Sequence, residues 1–409
     1  MANKAELRLT DQQRFDWLRL VRSENVGPRT FRALITNCGG VGAALKALPE
    51  LARRGGAKRP IRVATVEEVE KELIAARKLG VRFVALGEPD YPPALQEIDS
   101  APPVLALRGA AEALRKAAVA IVGSRNASAA GLTFAERLAR GLGQAGYIIV
   151  SGLARGIDQR AHVASLETGA VGVLAGGHGK PYPSEAVPLM ERMVESGAIL
   201  SEMPIEWEPR GRDFPRRNRI VSGLALGVVV VEAARGSGSL ITARFALEQN
   251  RQVFAVPGSP LDPRAQGTND LLKQGASICT DADDVLTALE PVRSSDLTAM
   301  REASGEPGEP LWGEQALYGV DPQSTPRTRA GDEFDDASGA PYSTGDEAEA
   351  ARERIVALLG PSPITLDELA RAAEASARTV RVALLELELA GRVEYSADRV
   401  ALRATANEI

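Results

Sequence analysis

The stretch Phe214-Pro-Arg-Arg-Asn-Arg219 places Arg216, Arg217 and Arg219 within four positions. Guanidiniums this close repel one another unless anions lie between them, so the run suits a phosphodiester track better than a structural role. Arg210 and Arg212 enlarge the patch, and Phe214 could stack on an unpaired base. Asn218 is better suited to ordering the loop than to reading a base. A second segment, Ala120-Ile-Val-Gly-Ser-Arg125, is followed by Ser128, Gly131 and a helical pattern. Gly123 lets the backbone approach an anion, the helix N-terminus offers free amides, and Ser124 and Arg125 add donors. The dinucleotide fingerprint Gly-x-Gly-x-x-Gly is absent, so the expected ligand is a phosphate held from outside.

Other loops carry polar groups of less certain use. Ser151-Gly-Leu-Ala-Arg-Gly-Ile-Asp158 is followed by His162, and Asp158 and His162, four apart, share a helical face. The pair could be an acid–base dyad or half a metal site. No nucleophile or third ligand accompanies it, so Ser151, Gly152, Gly156, Asp158 and His162 read as loop-structuring. Val231-Glu-Ala-Ala-Arg-Gly-Ser-Gly-Ser-Leu-Ile-Thr242 gives a flexible loop before a helix, with Arg235 adding charge and Glu232 pinning an arginine or the loop. Leu174-Ala-Gly-Gly-His-Gly179, then Tyr182-Pro183, either surrounds a ligand or turns the chain; the residues alone leave both open.

These loops need a scaffold. Short β runs at Val81–Leu86, Val119–Val122, Ile148–Val150, Val171–Leu174, Ala198–Leu200, Val228–Val231 and Val253–Val256 alternate with helical stretches. Apolar strands alternating with helices imply an α/β fold with a parallel sheet covered on both faces. Ligands of such sheets bind beyond the carboxyl ends of the strands, where the arginine and glycine loops fall. Residues 1–85 read as a helical domain, and Asn25-Val-Gly-Pro-Arg29 between two helices either is the turn of a plain helical hairpin, since the usual second turn glycine is absent, or resembles the turn of a helix-hairpin-helix, whose amides can face a DNA phosphate. Residues 351–409 read as three helices and a hairpin, a winged helix whose third helix, from Ser376, would be the recognition helix.

The 409 residues carry 49 Lys+Arg against 54 Asp+Glu, a formal charge of −5. The distribution matters more than the total. Residues 1–290 carry 37 basic and 32 acidic side chains, whereas residues 291–350 carry 4 and 13. The acidic block is rich in Pro, Gly, Ser and Thr and reads as a disordered linker. The expected domains are therefore 1–85, 86–290, the linker 291–350 and 351–409. Two cysteines far apart and two histidines argue against a disulfide scaffold or a metal centre, and no cofactor is expected. Without a long apolar run or a signal-like start, a cytoplasmic protein with no membrane partner is expected.

Taken in order, Tyr91-Pro92 with Leu95, Val122-Gly-Ser-Arg125, Ser151-Gly-Leu-Ala-Arg-Gly-Ile-Asp158 with His162, Phe214-Pro-x-Arg-Asn-Arg219 and Ser237-Gly-Ser-Leu-Ile-Thr-Ala243 resemble the DNA-processing protein A (DprA/Smf) family. The resemblance spans Tyr91 to Ala276. It implies an extended Rossmann domain, with a helical, SAM-like front domain and a winged-helix tail as in longer members. The implied activity is non-enzymatic: binding single-stranded DNA, protecting incoming strands during natural transformation and helping to load the recombinase RecA, usually as a homodimer. Carried over, Gly123, Ser124 and Arg125 hold phosphate, Arg217 and Arg219 line the same pocket with Phe214 nearby, and Arg235 fits a basic position; Arg216, at the variable place in the motif, joins the DNA-binding set from the charge cluster alone. One alternative is a nucleotide-hydrolysing enzyme on a related Rossmann scaffold, with Glu232 or Asp158 as its carboxylate. Another is a sequence-specific regulator acting through the winged helix.

Overall fold

The computed structural model describes residues 8–302, 346–396 and 399–403. Along the chain come helices α1 (Asp11–Val21), α2 (Pro28–Cys38), α3 (Val41–Arg54) and α4 (Val66–Lys78). Next are β1 (Arg82–Ala85), α5 (Pro93–Gln96), β2 (Val104–Gly109), β3 (Ala118–Val122), α6 (Ala129–Gln144), β4 (Ile148–Ser151), α7 (Ile157–Ala164) and β5 (Ala170–Val173). The sheet continues through α8 (Val187–Ser196), β6 (Ala198–Ser201), α9 (Asp213–Gly223), β7 (Gly227–Val230), α10 (Gly238–Glu248), β8 (Gln252–Ala255), α11 (Gln266–Lys273), β9 (Ser277–Ile278) and α12 (Ala282–Glu302). The C-terminal module holds α13 (Asp346–Leu358), β10 (Ile364–Thr365), α14 (Leu366–Ala372), α15 (Ala377–Leu389), β11 (Val393–Ser396) and β12 (Arg399–Leu402).

These elements form two compact units. One joins the described residues up to Arg14 to those from Val66 to 302; the other joins Phe15–Thr65 to the residues from 346 onward. The break at Thr65/Val66 differs from the expected boundary at 85. The reason is physical: β1 hydrogen-bonds antiparallel to β2, so the chain just before 85 is part of the large sheet.

That sheet has nine strands in the order β1-β2-β6-β5-β4-β3-β7-β8-β9. The seven strands from β6 to β9 run parallel, while β1 and β2 are antiparallel additions at one edge. Every residue of β3 to β7 is buried, as helices on both faces require. On one face Val119, Ile121, Ile149, Val229 and Phe254 pack with Leu138 and Leu142 of α6 and Val285 and Leu289 of α12. On the other, Leu153, Leu174 and Ile199 meet Leu189, Met190 and Met193. The strands run outward from β3 to β6 and then return to place β7 beside β3. The order reverses there, so the ends of β3 and β7 flank the crevice in which such sheets accept ligands.

In the second unit, α1 to α3 pack around Trp17, whose ring centroid lies 4.9 Å from that of Phe31. The C-terminal module follows its sequence cues. Thr365 and Glu368 form a reciprocal capping box, Ser376 caps α15, and Gly391 takes φ +71° just beyond it. β10, β12 and β11 form a three-stranded sheet against the helices, giving a winged helix. Helix α12 runs to Glu302 and α13 starts at Asp346, so both ends of the expected 291–350 linker are helical. Its centre, 303–345, lies outside the described residues. Among the described residues no helix is long and apolar enough to cross a membrane, and no cluster of three His, Cys, Asp or Glu side chains could hold a metal ion.

Candidate nucleic-acid interface

The loop after β3 carries Gly123, Ser124 and the exposed Arg125. It is fixed from beneath by the loop after β4. Gly156 has φ +85°, and a Cβ there would lie 2.3 Å from the Ser124 carbonyl oxygen. Only glycine combines that backbone with that approach, and the Ile157 amide completes the contact by donating to the Ser124 carbonyl at 3.3 Å. Asp158 is buried, and its Oδ2 accepts from the Gly152 and Ala154 amides at 3.1 and 3.3 Å. The Ser151 hydroxyl donates to the Ile121 carbonyl at 2.6 Å, tying the two loops together. The loop-structuring roles read for Ser151, Gly156 and Asp158 correspond to these contacts.

The crevice at the β3/β7 reversal is already filled from within. Glu232, at φ +62°, accepts from the Ser128 amide at 2.9 Å and makes a short contact to the Ser128 hydroxyl. A Cβ on Gly131 would meet this carboxyl group at 2.6 Å. A carboxylate therefore occupies the α6 N-terminus, the place where the sequence suggested free amides for phosphate. Glu232 pins this loop through Ser128, and Arg264 lies within electrostatic reach of its carboxylate.

The open cleft lies to one side, between the β3 and β4 loops and α9. Arg125, Gly152, Ala154, Arg155, Tyr182, Pro183, Phe214 and Arg217 line it. The Arg125 guanidinium carbon lies 5.4 Å from the Phe214 ring centroid. Tyr182, half-exposed, meets Phe214 edge-on at 5.6 Å. Two aromatic rings and a cation at a cleft mouth can stack an unpaired base and hold its phosphate. Tyr182 comes from the glycine-run segment whose role the residues alone left open.

Arg217 forms the cleft floor. It is buried, and its Nη1 donates to the Val173 carbonyl at 3.1 Å. Burial pulls its pKa below the ordinary guanidinium value; Asp158 pushes back, while Arg125 adds like-charge repulsion. An anion between Arg125 and Arg217 would relieve that repulsion. Gly152 makes the floor possible, because a Cβ there would lie 1.5 Å from Arg217 Nη1.

The three clustered arginines have different surroundings. Successive helical positions turn by about 100°, so Arg217 lies on a different side of α9 from Arg216 and Arg219, which are three apart. Arg216 is exposed, Arg217 faces the cleft, and Arg219 is buried with its Nη2 2.6 Å from Glu202 Oε2. Arg219 thus has the contacts of a structural ion pair rather than of a pocket lining. Arg235 is exposed and pairs with Asp270 at 2.8 Å. Arg210 stacks over Trp207 at 5.0 Å. Asn218 donates to the Gly238 carbonyl at 3.1 Å, so it orders the α10 loop.

The two histidines are core groups. His178 Nε2 lies 3.1 Å from the Ala106 carbonyl, and burial pulls its pKa down to about 4. Burial likewise pulls His162 down to about 3. Both folded values lie below the ordinary value of 6.5. As pH falls through 6.5 the unfolded chain takes up protons that the folded chain refuses, so stability present above 6.5 is lost. The loss reaches about 2 kcal/mol per histidine at pH 5. Replacing His178 by Gln keeps an amide donor for Ala106 and removes one titration. The drop in denaturant-measured stability between pH 8 and pH 5 should then shrink by about 2 kcal/mol; an unchanged drop would contradict the burial of a neutral imidazole.

Comparison with known proteins converges on one group. A family described as DNA recombination-mediator protein A matches residues 82–290, flanked by a DprA-like N-terminal HHH domain at 11–75 and a DprA winged helix domain at 339–399. The chain belongs to the DNA recombination-mediator protein A (DprA/Smf) family. DNA processing protein DprA of Bacillus subtilis is 42% identical over 234 residues, 56% of this chain and 78% of that protein. Protein Smf of Escherichia coli is 43% identical over 203 residues, 49% of this chain and 54% of that protein. The solved structure of DprA from Streptococcus pneumoniae is 31% identical, covers 69% of this chain and 98% of its own, and has a TM-score of 0.56. These matches agree with the extended Rossmann-like sheet and flanking domains read from the DprA/Smf motifs.

Proposed function

We propose that this family member binds single-stranded DNA without cleaving it, in the cleft between Arg125, Arg217, Phe214 and Tyr182. The observation that carries the reading is the pairing of Arg125 with the Phe214–Tyr182 rings over a buried guanidinium. Stacking accepts any base, and the two cations attract phosphate, which together suit an unpaired strand more than a duplex whose bases are stacked. The non-catalytic part is supported by the engagement of both candidate carboxylates. Asp158 accepts from loop amides and Glu232 from the start of α6, so neither projects into the cleft as a free base.

The finer role follows the family resemblance: the protein shields incoming single strands and helps to load RecA recombinase during natural transformation, as a cytoplasmic homodimer. Gly123 and Ser124 serve as backbone contacts to phosphate beside Arg125, Arg216 adds peripheral charge, Arg235 borders the site in its ion pair with Asp270, and Arg219 stays in its ion pair with Glu202 away from the strand. The direct test is anisotropy titration of a labelled oligonucleotide, single-stranded and duplex, at two salt concentrations. The single strand should bind more tightly by about tenfold or more, with affinity falling as salt rises. Equal binding of both forms would reject the unpaired-strand reading.

A further inference from the structure

Helix α15 buries more of itself than its own domain uses. Val380, Ala383, Leu384 and Leu387 belong to the winged-helix core with Ile355, Leu369 and Val393. Leu385, Glu386 and Leu389 are equally buried but lie outside that cluster. Helices α2 and α3 of the same compact unit pack against α15. Glu386 Oε1 lies 3.2 Å from Arg54 Nε, and its Oε2 lies 3.6 Å from Arg352 Nη1; the Glu386 side chain is 2% exposed. Arg352 also donates to the Arg54 carbonyl at 3.0 Å. Gly55, which ends α3, presses on the helix so closely that a Cβ would lie 1.9 Å from the Glu386 carbonyl oxygen.

The hairpin turn between α1 and α2 takes part in the same contact. Asn25, at φ +58°, donates its side-chain amide to the Leu389 carbonyl at 2.9 Å. Arg29 sits over the Tyr395 ring at 5.6 Å. The turn that resembled a phosphate-binding helix-hairpin-helix therefore spends its polar side chains on protein groups at the end of α15 and on the wing.

We propose that the N-terminal helical module is the docking partner of the winged helix within the same chain, and that its hairpin turn is a protein-binding rather than a DNA-binding device. The occupant of the buried face of α15 is thus the segment Phe15–Thr65. Strand binding by the full chain then draws nothing from Asn25–Arg29, and the winged helix is held by its neighbour through a face that DNA never touches. The Glu386 carboxylate sits buried between Arg54 and Arg352; burial raises its pKa while the two arginines pull it back.

The test uses the full chain with Leu385→Cys as a reporter. Maleimide labelling is read peptide by peptide, so the native Cys38 and Cys279 do not interfere. The docked chain should label at least tenfold more slowly at position 385 than after denaturation, at all protein concentrations. Adding Gly55→Leu, allowed by its φ of −70° but blocked by the Glu386 carbonyl, should raise the rate at least tenfold. Gly42→Ala, whose Cβ meets nothing within 4 Å, should leave it unchanged. Asn25→Gly, a milder second variant that keeps the left-handed backbone, should raise it several-fold. Arg29→Ala should leave single-strand affinity and its salt slope within twofold of the parent. Fast labelling of Leu385→Cys in the otherwise unaltered chain, protection that disappears on dilution, or a marked loss of DNA affinity in Arg29→Ala would each overturn the proposal.

Discussion

Replacing Gly152 by Val should lower single-strand affinity by about 10- to 100-fold, a loss of about 1.4–2.7 kcal/mol. The cause is steric and local. Gly152 is buried, and its missing Cβ is what admits Arg217 Nη1 to the cleft floor. A side chain there displaces the guanidinium from the Val173 carbonyl and from its place beside Asp158. The displaced group then fills the space into which Arg125 and Phe214 open. The amide of residue 152 still donates to Asp158, so the loop itself keeps its anchor. Gly211→Val, where a Cβ would meet nothing within 4 Å, is the matched control and should bind like the parent. Anisotropy titrations of the three proteins decide the matter; parental affinity in Gly152→Val would mean that the strand does not enter this cleft.

Arg219→Ala should behave in the opposite way, costing stability rather than affinity. The Arg219 and Glu202 side chains are 9% and 15% exposed, and the pair is 2.6 Å apart. Removing the guanidinium takes away the cation that pairs with a partly desolvated carboxylate, which costs about 2–4 kcal/mol. For a unit of this size that lowers the melting temperature by roughly 5–15 °C. Below the transition, DNA affinity should stay within about twofold of the parent, because Arg219 faces away from the cleft. A double replacement, Arg219→Met with Glu202→Leu, should recover most of the lost stability. A large affinity loss in Arg219→Ala with an unchanged melting temperature would restore Arg219 to the phosphate track.

Those contrasting outcomes for two arginines two positions apart show where the sequence stops being legible. The identity of the basic run was plain, and so was its location beyond a strand end. The direction of each side chain was not, since helix phase is set by which face of α9 the sheet buries. The same holds for Glu232. Its loop could be recognised from glycine and serine, but its seat on the α6 N-terminus joins residues 104 positions apart. Tyr182 reaches Phe214 across 32 positions by the same kind of closure.

The strands with continuous apolar runs, β3 to β8, were readable because parallel central strands are buried on both faces. β2 was not picked out, sitting just after Pro102-Pro103 and pairing antiparallel on both sides. β9 has only two residues and carries no periodicity. The three helices and hairpin of the winged helix were legible because their cues are local, whereas β10, only two residues long, carries no pattern of its own. The partnership of the winged helix with the N-terminal helices was not legible, because no local signal records which distant segment covers Leu385 and Leu389. The formal charge of −5 likewise concealed a basic cleft, since attraction for phosphate depends on clustering around Arg125 and Arg217 rather than on the total.

The central claim is that Arg125 contacts the backbone of a single strand in this cleft. Its most direct test is the salt dependence of oligonucleotide affinity for the parent protein and for Arg125→Ala. The account predicts weaker binding by about tenfold at low salt. It also predicts a slope of log affinity against log salt that is shallower by about 0.7, the value for one single-strand phosphate contact. The loss should be the same for oligonucleotides of different sequence. Parental affinity with an unchanged slope would contradict it.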